Sequence, residues 1–181
     1  MTRTAHALFA ALGVASALQG TTLVRASLDE LARTSTTIVR GRISGTYCIS
    51  TYSGIYTKIR VKVSEQWKGV EAASLEVTVP GGTCHGVSQT VSGAPAFVEG
   101  SEHVFFLWSG RARNLLLLGL GQGVLDIHIN EKGETVVSRG GLDGVMLDAV
   151  TGRVVRDEPF SMRMSDFNLQ VRRALGRGAA Q

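Results

Sequence analysis

The sequence is short of most residues that announce a particular chemistry. It carries three prolines, two cysteines, four histidines and only 6% aromatic residues in 181 positions. The cysteines, Cys48 and Cys84, lack CxxC spacing, and with His85 they make a weak zinc set. No G-x-S-x-G occurs, which excludes the nucleophile elbow of the α/β-hydrolases. Aspartates and glutamates are scattered along the chain, so no carboxylate pair for glycoside cleavage stands out. The run Gly119-Leu120-Gly121-Gln122-Gly123 is not followed by Lys-Ser/Thr or by a helix. That excludes a nucleotide phosphate loop and leaves a glycine-rich turn or bulge. After the N-terminus, no apolar stretch reaches the roughly 20 residues that span a bilayer. Leu115–Leu118, for example, is broken at once by Gly119 and Gly121. No catalytic motif is recognisable, and no cofactor or metal is implied.

What is present points to a small β-rich domain. Apolar residues make up 44% and charged residues 19%, a balance that excludes a disordered or low-complexity chain. Twenty-two glycines against three prolines predict many turns, which favours strands over a helical bundle. The length suits one domain, and a chain of roughly 150 residues buries about 70% of its unfolded surface without metals or many disulfides.

The first residues read as an address. Arg3 gives a basic start, Ala7–Leu18 is an apolar run, and small residues follow, which is the three-part pattern of a secretory signal. Two bonds fit the small-x-small rule, one after Ala15-Ser16-Ala17 and one after Val24-Arg25-Ala26. Residues 1–26 are therefore assigned to the signal and 27–181 to a single folded domain. Removal of Arg3 and Arg25 lowers the formal charge from +4 to +2. Secretion or a periplasmic location follows, with no transmembrane segment in the mature protein. In an oxidising compartment Cys48 and Cys84 are expected to form a disulfide; a metal site with His85 and a catalytic thiol are the competing readings.

The strand pattern is clearest at Ile55–Val63, where Ile55, Thr57, Ile59, Val61 and Val63 alternate with Tyr56, Lys58, Arg60 and Lys62. Ser27-Leu28-Asp29-Glu30 forms a capping box for a short helix, Leu28–Arg33, with Leu28 and Leu31 inward. A strand is predicted at Thr36–Ser44, with Val39, Gly41 and Ile43 on one face and Arg40 and Arg42 on the other. Residues 45–54 are assigned to a loop. Leu75–Val79 alternates and stops at Pro80-Gly81-Gly82, and Val104–Trp108 suits a strand buried on both faces. Val124–Ile129 and Glu134–Ser138 flank a hairpin turn. A last helix is predicted at Asp166–Leu175, capped by Ser165, with Met164, Phe167, Val171 and Leu175 on one stripe. The sum is a mainly β fold, a small antiparallel OB-like barrel with a short N-terminal and a C-terminal helix.

The order Leu28-x-x-Leu31, Thr37-Ile38-Val39-Arg40-Gly41-Arg42-Ile43, Ile55-Tyr56-Thr57 and Trp67-Lys68-Gly69 resembles the OB-type barrel of the netrin-like modules. The inhibitory domain of the tissue inhibitors of metalloproteinases is one of these. Val79-Pro80-Gly81-Gly82, Gly93-Ala94-Pro95-x-Phe97 and Val104-Phe105-Phe106-Leu107 are also similar to a group of uncharacterised secreted bacterial proteins. The resemblance covers roughly residues 28–130 and implies the barrel. It does not carry over the animal inhibitors' zinc chelation, which uses an N-terminal cysteine. Neither expected mature end, Leu18 or Ser27, is a cysteine.

Two clusters remain as candidate sites. Arg40 and Arg42 on one strand, and Lys58, Arg60 and Lys62 on the next, share an outer face if the strands pair. Like charges opposite each other weaken a sheet, so either Glu65 and Glu76 balance them or an anionic partner does. Tyr56 is the one aromatic expected there, too few for the stacking that single-stranded nucleic acid requires. The second cluster is Asp126 and His128 on one strand face, with His85 and His103 as further candidates for a metal or acid–base site. The expected function is a secreted, non-enzymatic binding module of unspecified ligand, one that binds a protein or modulates a secreted hydrolase. An anionic polysaccharide or envelope ligand on the basic face is the alternative, and an unrecognised hydrolase around Asp126 and His128 a third.

Overall fold

The computed structural model describes residues 23–110, 114–142 and 145–178, so the predicted leader lies outside the described residues as far as Thr22. The elements run β1 (Leu23–Val24), α1 (Leu28–Thr34), β2 (Thr37–Thr51), β3 (Gly54–Lys68), β4 (Ser74–Pro80), β5 (Gly82–Cys84) and β6 (Val87–Gln89). They continue with β7 (Glu102–Ser109), β8 (Leu115–Leu117), a 3-10 turn (Leu120–Gly123), β9 (Val124–Ile129) and β10 (Thr135–Arg139). Last come β11 (Met146–Leu147), β12 (Val154–Val155), β13 (Phe160–Arg163) and α2 (Met164–Gly178). The fold is mainly β, with a helix near each end.

The long β2–β3 hairpin is the frame. β7 pairs with the free side of β2, and β4 with the free side of β3. β8 touches both outer members of this row. Val77 and Thr78 of β4 run parallel to Leu115 and Leu116, while Leu107, Trp108 and Ser109 of β7 run antiparallel to Leu117, Leu116 and Leu115. The order β2-β3-β4-β8-β7 makes a barrel-like sheet, with only the short β8 ladders where its two ends meet. The sequence predicts antiparallel pairing, and the ladders follow it except at β4–β8 and β1–β11, which are parallel. Among the described residues no helix lies in the β4-to-β8 crossover, which passes through β5, β6, a loop and β7.

Two cores lie on the two faces of this sheet. Inside the barrel, Val39, Ile43, Ile59, Val61, Val77, Val79, Phe105 and Leu107 are buried together. Outside it, Ile38, Val104, Phe106, Leu125 and Val137 pack under Leu31 and Ala32 of α1 and Phe167, Val171 and Ala174 of α2. Residues of β7 therefore point alternately into two apolar cores, which is why its sequence is apolar without alternation. The Ser27 capping box is formed: the hydroxyl accepts from Glu30 N at 3.2 Å, and Ser27 N donates to the Glu30 carboxylate at 2.7 Å.

Two expectations are corrected. Residues 45–51 belong to β2, and only Tyr52-Ser53 separates it from β3. This stretch projects past the barrel core, so it has no apolar face to announce it. Second, α2 begins at Met164 directly after β13, which places Ser165 inside the first turn rather than at the cap. The segment from Gly140 onward, for which the sequence predicts no regular element, is anchored by polar groups. Arg139 Nη2 donates to Asp157 at 2.8 Å, Leu142 N donates to the same carboxylate at 3.1 Å, and the Asp157 side chain is 0% exposed.

Candidate functional site

The disulfide is formed. Cys48 on β2 bonds Cys84 at the end of β5 with a Cα separation of 5.5 Å, and among the described residues no cysteine is free. It ties the distal part of the β2–β3 hairpin to the β5–β6 flap.

The pairing places the predicted cations on one outer face. Arg42 stands opposite Lys62, Tyr47 opposite Lys58, and Arg60 lies between Gly45 of β2 and Glu76 of β4. Two carboxylates partly neutralise this face. Glu102, at the start of β7, accepts from Arg40 Nε at 2.8 Å, from Ser64 Oγ at 3.2 Å and from Arg42 Nη2 at 3.4 Å. The Arg40 hydrogen bond, before all else, holds the Glu102 carboxyl below the ordinary value. Glu76 accepts from the Tyr47 hydroxyl at 2.7 Å and pairs with Lys58 at 3.2 Å. The Tyr47 hydrogen bond is the main cause of its lowered pKa, and raises that of Tyr47 in turn. Arg60 lies over the Tyr47 ring at 5.2 Å. Neither Arg60 nor Lys62 has an ion-pair partner among the described residues.

Of the acids expected to balance this face, Glu76 pairs with Lys58, whereas Glu65, opposite Arg40 in the ladder, makes no ion pair among the described residues. Glu102 pairs with Arg40 instead, and its position in the sequence, at the edge of an apolar run, gives no sign of this. Tyr47 joins Tyr56 as an aromatic here; it was missed because residues 45–54 read as a loop.

The second cluster is assembled differently from the expected one. Asp126 pairs with His103, Nδ1 to Oδ1 at 3.0 Å, and His103 Nε2 lies 2.7 Å from Ser101 Oγ. His128 instead sits 3.4 Å from Ser138 Oγ on the exposed hairpin. A Ser-His-Asp chain is the arrangement that activates a hydroxyl nucleophile. Two features work against that use. The Ser101 hydroxyl also lies 2.5 Å from Val98 O, so its single proton has two acceptors. The Gly100 and Ser101 N–H groups, which flank the hydroxyl, donate to Ile43 O and Val98 O, leaving neither to stabilise an oxyanion. The ring of His103 is packed edge-on against Phe97 and Phe105, and burial is the main cause of its lowered pKa. This is a satisfied histidine joining β7 to β9. Among the described residues no three His, Cys, Asp or Glu side chains converge as metal ligands.

A cleft of about 470 Å³ opens at the mouth of the barrel, between the β2–β3 hairpin and the segment 88–97. Thr46, Thr57, Thr83, Ser88 and Gln89 line it with Phe97, and none of its described lining residues is charged. It is therefore separate from the basic face. No family model matches this chain, and no curated protein matches it.

Two sequence features are resolved as structural. The glycine run forms the 3-10 turn, with Gly121 and Gly123 buried. Trp67-Lys68-Gly69 clamps the end of β3 to both helices: Trp67 Nε1 donates to Asn168 of α2 at 3.0 Å, and Lys68 Nζ donates to Ala32 O and Arg33 O at the end of α1.

Proposed function

We propose that the protein is an exported, non-catalytic binding barrel whose outer β2–β3 face receives an anionic polysaccharide of the cell envelope. The observation that carries this reading is the placement of Arg42 directly opposite Lys62, with Arg60 beside them. Like charges in register weaken a sheet. Glu102 and Glu76 hold Arg40 and Lys58 most closely, which leaves Arg60 and Lys62 as the cations available to a partner. An anion spanning these side chains would relieve their repulsion.

The disulfide fits an oxidising, extracellular location, and no helix of the described residues is long and apolar enough to cross a membrane. The resemblance to netrin-like modules supports the barrel as a binding scaffold. Fold alone does not name a ligand.

Binding of the disulfide-intact protein to dextran sulfate, with uncharged dextran as control, tests the proposal. Wild type is expected to bind the polyanion only, with affinity falling as salt screens the charges. Arg60→Glu/Lys62→Glu should lower that affinity at least about tenfold, or about 1.4 kcal/mol. A folded double variant that binds as tightly as wild type overturns the basic-face reading. Capture of one stoichiometric protein, with no polyanion affinity, would transfer the function to a protein partner.

A further inference from the structure

The sequence offers two cleavage bonds for the predicted leader, and the fold distinguishes them. Residues 23–26, which a cut after Ala26 would remove, are built into the domain. Leu23 and Val24 form β1, parallel to Met146 and Leu147. Leu23 N donates to Val145 O at 3.1 Å and Arg25 N to Leu147 O at 2.8 Å. Ala26 packs at the edge of the outer core, and Arg25 pairs with Glu158 at 3.7 Å.

The deciding residue is Gln122. Its side chain lies in the 3-10 turn and is 1% exposed with residues 24 and 26 in place. Its carboxamide oxygen accepts from Ala26 N at 2.9 Å, and its nitrogen donates to Val24 O at 3.0 Å. Both ends of a buried amide are thus matched to residues 24 and 26. A cut after Ala26 would remove both partners and leave β11 without its parallel neighbour. A chain starting at Ser27 would open this site to water and forfeit both hydrogen bonds together with the β1–β11 ladder.

We infer that export processing cuts the Ala17–Leu18 bond and that residues 23–26 stay in the mature protein as its first strand and the lead into α1. The step is a hydrolysis: water supplies the hydroxyl of the new Ala17 carboxyl group and a proton to the Leu18 amine. Ala15 and Ala17 meet the small-residue requirement at that bond. The segment excluded from the fold is therefore nine residues shorter than the assignment that ends at Ala26. The inference rests on the export reading and not on the anionic ligand.

The full-length chain, expressed with its own N-terminus in a bacterial host, tests this through intact mass and N-terminal sequencing of the protein recovered outside the cytoplasm. A start at Leu18 is expected. A start at Ser27 overturns the inference while keeping export. A full-length chain retained in the cytoplasm overturns both. Hydrogen exchange on the recovered protein gives a second readout. The Leu23 and Arg25 amides should be protected in wild type and lose protection at least tenfold in Gln122→Leu. Free exchange of both amides in wild type would overturn the retained strand.

Discussion

At the scale of single residues, Glu102 and His103 are neighbours that face opposite ways and make separable predictions. Glu102 holds two arginines of the basic face with a side chain only 18% exposed. Glu102→Gln keeps the shape and removes the charge. It should cost about 1–2 kcal/mol of stability, because charged hydrogen bonds become neutral ones. It should also strengthen dextran sulfate binding, since Arg40 and Arg42 are released to the ligand. Denaturant melts and binding isotherms moving in opposite directions would mark Glu102 as a balancing residue; equal binding would remove it from the site. His103 faces inward, where burial outweighs the pull of Asp126 and holds its pKa below the ordinary value of 6.5. The unfolded chain therefore takes up the proton first. Stability that is complete above about pH 6.5 is lost as the pH falls through that value towards the folded pKa. The lowered carboxyls of Glu30, Glu76 and Glu102 act in a separate window, below their ordinary 4.5. Urea midpoints at pH 7.5 and 5.5 should fall for wild type and stay level for His103→Asn. Equal slopes in both proteins would show that His103 is not the group responsible.

At the scale of elements, legibility follows burial. β3 could be read from sequence because one face is buried and the other wet over its central part, and β7 because both faces are buried. The short helix was legible because its capping box is local. The distal half of β2 was not, since a strand beyond the core is held by its ladder and by Cys48 rather than by an apolar face. The start of α2 was obscured because β13 feeds it directly, without a capping residue between them. Gly41, in the middle of the first strand pattern, has a plain reason: a Cβ there would come within 2.7 Å of Lys62 O and against Val61. The basic face was legible because alternation alone places Lys58, Arg60 and Lys62 together. Its counter-charge Glu102 was not, since it comes from a strand some 60 residues away in sequence. The helix layer gives its own prediction. Phe167 is fully buried, with Trp67 edge-on at 5.4 Å and Phe106 at 6.2 Å. Phe167→Ala should lose about 3–5 kcal/mol, as large-to-small core changes do. Far-UV and near-UV circular dichroism through a urea titration would separate undocking of α2 from global unfolding. A loss under about 1 kcal/mol would mean the helix layer contributes little to the barrel.

At the scale of the whole molecule, the described chain combines a well-filled barrel with a thinly packed extension. The barrel and helix layer contain both buried apolar clusters, whereas residues 45–51, 82–83 and 85–89 contribute nothing to either. The extension is held by the hairpin ladder, by Gln89 accepting from Ile55 N at 2.7 Å, and by the disulfide. A crosslink between residues 36 apart restricts the unfolded chain and, by loop-closure entropy, contributes about 3–4 kcal/mol. Cys48→Ala/Cys84→Ala should lose that amount globally, yet its folded state should keep the sheet, because neither core rests on the bridge. The local consequence differs from the global one. Without the crosslink, the β5–β6 flap and the hairpin tip can open while β2, β3 and β7 stay paired within the barrel. Hydrogen exchange should therefore rise most at residues 45–57 and 82–91, and at residues 103–107 by no more than the global loss of stability. The uncharged cleft lies between the tip and the segment 88–97, so that opening would also reshape it while leaving Arg60 and Lys62 in place. Polyanion binding should consequently survive loss of the disulfide. If binding falls together with flap protection, the ligand-bearing surface extends from the basic face into the cleft, and the two can no longer be treated as separate sites.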